Sequence, residues 1–195
     1  TNGNLQDIDL VAWGQDVHLI NDKVLKTQTW KADKPYLVYN SALVDTQHTL
    51  TIEPGTKIHF HANSSFHVAG TLISDGTKEK PILFTSERLE EEYSDIPGQW
   101  NGIWLMPGSN NNVINYTNIK NAITGIQVDS IGNNASLALT LSNSKIMHMT
   151  YAGIHARGTT IKGYNNVISN CGKYAVALTQ GGSYEFYHMT IANYW

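Results

Sequence analysis

A single cysteine, Cys171, stands in a chain of 195 residues, so no intrachain disulfide can staple the fold. Its setting, Ile168-Ser-Asn-Cys-Gly, gives it the character of a small buried apolar residue. No stretch approaches the roughly 18 consecutive apolar residues of a membrane-crossing helix, so no transmembrane segment is expected. Positive charge is not in excess: 13 Lys and Arg against 16 Asp and Glu leave a net charge of −3. That balance excludes a nucleic-acid partner, which needs a basic footprint on its phosphates. Strong helix formers are sparse, and no segment sustains a 3.6-residue apolar period. Carboxylates are scarce too, since residues 96–195 contain only Asp129 and Glu185. The start, Thr1-Asn-Gly-Asn, reads as a mature or trimmed terminus without a signal peptide.

What is abundant belongs to strands and corners. There are 19 Asn, 18 Thr, 16 Gly and 10 Tyr; Asn and Gly favour turns and left-handed backbone, Thr and Tyr favour strands. A hydrophobic share of 41% is too high for disorder. The apolar residues recur at a fixed interval. Ile119, Ile146, Ile168 and Ile191 are spaced by 27, 22 and 23 residues. Between them run Gly125-Ile-Gln-Val-Asp129, Gly153-Ile-His-Ala-Arg157 and Ala175-Val-Ala-Leu-Thr179. Leu139-Thr-Leu141, Ile161-Lys-Gly163 and Tyr184-Glu-Phe186 supply a third element. Three short strands per coil of about 22 residues describe a parallel β-helix, right-handed because parallel crossovers overwhelmingly are.

The expected fold is therefore an all-β solenoid over residues 37–195, preceded by an N-terminal cap at 1–36 that contains Trp13 and Trp30. Pro54-Gly55 marks a tight turn. Inward columns should be Ile126-Ile154-Val176 and Val128-Ala156-Leu178. Asn121, Asn170 and Asn193 should form a ladder of corner amides. Glu87–Asp95 reads as a charged, solvated loop budding from one coil, without the spacing of a calcium loop. The chain stops mid-repeat, so the surface of Val176, Leu178, Phe186 and Ile191 is expected to be covered. A missing C-terminal segment, a second copy or another polypeptide would do so, or Tyr194 and Trp195 would fold back as a lid.

The run Leu50-Thr-Ile-Glu-Pro-Gly-Thr-Lys-Ile58, then Gly70-Thr-Leu, Lys80-Pro-Ile-Leu-Phe84, Gly98-Gln-Trp-Asn-Gly-Ile103 and Asn112-Val-Ile-Asn-Tyr116, resembles exported right-handed parallel β-helix proteins of Gram-negative bacteria. These are often lipid-anchored and have a pectate-lyase-like fold. The resemblance implies an outer-membrane or periplasmic location and says nothing of a reaction.

Candidate chemistry comes from aligning the repeats. One outward column reads His67, Trp104, Gln127, His155 and Ala177; its neighbour reads Ala69, Met106, Asp129, Arg157 and Thr179. Trp104 as a stacking platform beside His67, Gln127, Asp129, His155 and Arg157 suggests a polysaccharide-binding strip. The plainer alternative for Asp129 and Arg157 is a surface ion pair on adjacent coils, worth at most ~1 kcal/mol. Acid–base roles for Asp129, His155 and Arg157 are a further alternative, that of a polysaccharide lyase or hydrolase with an atypical site. The paired carboxylates such enzymes use are absent. No cofactor motif is present. His59 and His61 alternate on one strand and, with His67 nearby, are the weak metal candidates, short of the three or four ligands a site needs. The reading favoured is a non-catalytic cell-surface or periplasmic β-helix, with glycan along this strip as its candidate ligand and a structural or assembly role in a surface complex as an alternative.

Overall fold

A computed structural model describes residues 16–130 and 136–193. Alternation governs its strands. In Ser65–Val68, Phe66 and Val68 are buried while Ser65 and His67 face outward, as the period of two requires. Strand pairings are parallel, and each joins positions of the same role on consecutive coils, with about seven coils in all. The first sheet holds Lys57–Phe60, Ile82–Ser86, Thr117–Lys120, Lys145–Met149, Val167–Cys171 and Thr190–Ala192. The second holds Ser65–Val68, Trp100–Leu105, Ala122–Asp129 and the opening parts of Ala152–Tyr164 and Tyr174–Tyr187. The third holds Thr49–Ile52, Thr71–Asp75, Asn112–Asn115, Leu137–Ser142 and the closing parts of the same two long strands.

The apolar columns stack in the expected register. Ile119 faces Ile146, which faces Ile168, which faces Ile191. Ile126, Ile154 and Val176 align, as do Val128, Ala156 and Leu178. Full burial of each such side chain is worth about 1.5–3 kcal/mol, but one coil cannot achieve it alone. Leu178 and Ile191, on the last described coil, remain 42% and 56% exposed. Tyr194 and Trp195 lie outside the described residues. The core is aromatic towards the N-terminus, where Phe60 stacks on Trp100 with centroids 4.0 Å apart and Phe66 meets Phe84 edge-on. Further along it is aliphatic, until Tyr184 and Phe186 pack partly buried against it on the last described coil. Cys171 is buried, and burial pushes its thiol up to about 11.

The glycine that opens the repeated Gly-Ile strand has a packing cause. A Cβ on Gly125 would sit 2.6 Å from the carbonyl oxygen of Gly153 and 2.6 Å from Cγ2 of Ile146. A Cβ on Gly153 would sit 2.5 Å from Cγ2 of Ile168. The isoleucine column of the first sheet thus fills the space a side chain would need.

Three expectations change. The asparagine ladder forms at the other corner: Asn115 donates to Asp75 at 2.8 Å, Asn143 to Asn115 at 2.8 Å, and Asn165 to Asn143 at 2.7 Å. Asn143 and Asn165 take positive φ there, the region Asn tolerates best among residues with a side chain. Asn121 donates to the carbonyls of Ser94 and Ile96 and accepts from the hydroxyl of Thr85, and Asn193 bonds the backbone of Cys171. The expected cap includes fifteen residues, among them Trp13, outside the described set. From His18 on, it stacks as a coil, with His18–Leu25 pairing on Tyr36–Val44 and Gln28–Trp30 on Thr49–Ile52. Finally, the loop from Glu87 to Asp95 is not merely solvated. It lies across the first sheet as a strap, pinned at both ends. Glu87 pairs with His61, which stacks on Tyr39 at 4.4 Å. Asp95 lies 3.6 Å from Lys120 and 3.3 Å from His148. Amide groups of Asn121 and Gln99 donate to the carbonyls of Tyr93, Ser94 and Ile96.

Gly125→Ala should lower the free energy of unfolding by about 1–3 kcal/mol, because a backbone carbonyl and a packed isoleucine must both give way. Urea denaturation followed by tryptophan fluorescence measures it.

Candidate functional site

The second sheet carries the candidate strip on its outer face. His67, Trp104, Gln127, His155 and Ala177 follow one another across five coils, and Asp129, Arg157 and Thr179 across three. Asp129 follows Gln127 by two residues and so shares its face. From there its carboxylate gathers side chains from three coils. Nε1 of Trp104 donates to Oδ2 at 2.8 Å, and Nε2 of Gln127 donates to the same oxygen at 2.8 Å. Nε of Arg157 donates to Oδ1 at 2.7 Å, and a terminal guanidinium nitrogen donates to Oδ2. Oδ2 thus receives three donors and Oδ1 one, so both oxygens are engaged.

Asp129 is only 5% exposed. The surface ion pair expected from sequence is thus a mostly covered one, roofed by the indole and the guanidinium. Burial raises the carboxyl's affinity for a proton, but the hydrogen bonds from Arg157, Gln127 and Trp104, with the charge of Arg157, outweigh it and hold the group below its ordinary value. The same contact raises Arg157. An ionised carboxylate that is mostly covered, paired with a guanidinium and bonded at both oxygens is poorly placed to take or give a proton. Its physical effect is to fix the indole.

Beside Trp104 lies an open hollow of about 240 Å³, lined by Ser65, His67, Asn101, Trp104, Thr124 and Gln127 among others. His67 meets the indole edge-on, with centroids 5.5 Å apart and planes at 86°. Burial lowers the pKa of His67, favouring the neutral ring. Asn101 is held by donating to the carbonyl of Asn63 at 2.7 Å and to Oγ of Ser65 at 2.8 Å. The floor depends on Gly102, whose φ of +120° belongs to glycine. A Cβ there would lie 1.7 Å from the carbonyl oxygen of Thr124. This is where the ladder between the two strands shifts register, opening the surface.

Ser65, Asn101 and Thr124 were not anticipated. The signal lay in Asn101-Gly-Ile103, where a glycine aligned with Ser65 and Thr124 marks a bulge. His155 belongs to the strip but contacts Tyr151, at 5.6 Å, rather than Asp129. The metal candidates separate. His59 Nδ1 lies 3.0 Å from the carbonyl of Ser86, His61 pairs with Glu87, and His67 faces Trp104 on a different sheet. Among the described residues, no three of His, Cys, Asp and Glu gather as a metal-holding group. No helix among them is long and apolar enough to cross a membrane.

Compared with known proteins, residues 36–191 match the family model described as "Right handed beta helix region". No curated protein and no solved structure matches the chain.

Asp129→Asn should cost about 1–3 kcal/mol of stability at neutral pH, the order of a disrupted buried hydrogen-bonded group. The folded value is depressed, so the carboxylate's contribution is present above the unfolded value of about 3.9 and is lost as pH falls through the folded value. Thermal unfolding of both proteins from pH 7 to pH 2 should show the difference shrinking at the acid end.

Proposed function

The chain belongs to the right-handed β-helix family, and on that premise we propose that it is a non-catalytic β-helix protein that binds glycan along its second sheet. The observation that carries this reading is the indole of Trp104, tethered through its N–H to Asp129 beside a hollow edged with amides and hydroxyls. A tethered indole presents an apolar surface on which the C–H face of a sugar stacks, and the surrounding polar groups meet its hydroxyls. Because the indole is already held, little conformational freedom is lost on binding.

Cleavage of a polysaccharide is the competing reading, and the carboxylate this strip offers, Asp129, is already paired with Arg157 and bonded by Gln127 and Trp104. A structural or assembly role is the reading that remains if no glycan binds. Location outside the cytoplasm, at the outer-membrane surface or in the periplasm, is proposed from the resemblance of its turn and strand motifs to exported β-helix proteins.

A glycan array probed with the wild-type protein and Trp104→Ala tests the reading. Binding should fall roughly tenfold or more in the variant, as expected for a lost stacking contact, while its circular dichroism stays that of the folded β-helix despite the lost hydrogen bond to Asp129. Equal binding by both proteins, or none across a broad panel, would contradict it. Oligosaccharide products that vanish in Asp129→Asn would favour the enzyme.

A further inference from the structure

The first sheet, which faces away from the Trp104 strip, carries a second hollow that the glycan reading does not use. Its floor is the outward pair Leu37 and His59, aligned on consecutive coils, and its roof is the strap at Arg88, Leu89 and Glu90. Its volume is about 420 Å³, within the range of small-molecule sites. Beneath the strap it continues into a neighbouring hollow of about 420 Å³ that shares Pro35, His59 and Leu89. The strap is pinned at both ends by ion pairs and amide-to-carbonyl hydrogen bonds, so the space exists before any ligand arrives.

Three observations define what would fit. The walls are apolar and aromatic: Pro35, Leu37, Tyr39 and Leu89, with Leu89 79% exposed in a position where it otherwise gains nothing. The charges at the rim are already matched. Glu87 is engaged by His61, and Arg88 pairs with Glu90 and lies 3.6 Å over the ring of Tyr93. A charged ligand would find Glu87, Arg88 and Glu90 already paired. Finally, His59 offers one directional group. Its Nδ1 faces the carbonyl of Ser86 at 3.0 Å; a carbonyl only accepts, so Nδ1 carries the proton and Nε2 of the neutral ring is an acceptor.

We propose that this hollow binds a neutral aromatic alcohol or phenol, its ring packed against Leu37, Tyr39 and Leu89 and its hydroxyl donated to Nε2 of His59. The ring supplies burial of apolar area, and the hydroxyl supplies orientation. The proposal is independent of glycan binding, because the two sites lie on different sheets.

Calorimetric titration of the full chain with 2-naphthol tests it, with 2-methoxynaphthalene as the same ring system lacking a donor. Saturable binding at one site is expected, about tenfold weaker for the methyl ether and for His59→Phe, the scale of one hydrogen bond. Leu89→Ser, at an exposed position that does not support the core, should also weaken 2-naphthol severalfold, whereas Trp104→Ala should leave it unchanged. Should His59→Phe fail to fold, the methyl ether and Leu89→Ser still decide. Absence of saturable binding, equal affinity for the two naphthalenes, or loss of binding in Trp104→Ala with retention in Leu89→Ser would overturn the proposal.

Discussion

The parallel backbone ladder between one coil and the next is the interaction on which everything else rests. It sets a spacing of about 4.8 Å and forbids side chains of different roles from exchanging places. Each coil buries its inward residues only against its neighbours, so an isoleucine at one level calls for an apolar residue at the same level on the next. Ile119, Ile146 and Ile168 are buried for that reason, and Ile191, at the last described level, is half exposed. The glycines of the Gly-Ile strands follow from the same constraint, since Cγ2 of Ile146 and of Ile168 occupies the space their side chains would need.

The ladder also makes the site. Trp104, Asp129 and Arg157 are separated by 25 and 28 residues from partner to partner, yet register delivers them to one patch of one sheet. Charge then does what stacking cannot. A mostly covered carboxylate is costly unless it is paired and hydrogen-bonded, and here Gln127 adds a donor to those of Trp104 and Arg157. The result is a rigid aromatic platform on a surface otherwise built of solvated strand residues. Across the solenoid, the strap achieves a similar rigidity by other means, with carboxylates at its two ends held by His61, Lys120 and His148.

Much of this was legible in the chain, for a physical reason: a solenoid repeats its contacts, so aligned positions in sequence become touching positions in space. The inward columns and the facing of Asp129 with Arg157 were readable on that basis. What the alignment could not convey is the direction of a side chain at a corner. Asn121 and Asn143 look alike in sequence, but the carbonyls of Ser94 and Ile96 capture the amide of Asn121, while Asn143 has only the next rung to bond. The strap was read as solvated because its partners are remote and belong to no repeat, His148 lying 53 residues beyond Asp95. The link from Trp104 to Asp129 was equally hidden, because it runs diagonally between columns that the alignment treats as separate.

The central claim is that register between coils delivers Asp129 to the indole N–H and fixes the platform. The indole Nε1–H resonance of Trp104, followed by hydrogen exchange in ¹⁵N-labelled protein, tests it most directly. The account predicts slow exchange at neutral pH, and a return towards the rate of a free indole in Asp129→Ala while the other protected amides of the solenoid stay protected. Rapid exchange of the Trp104 indole in the wild-type protein, or protection that survives in Asp129→Ala, would contradict it.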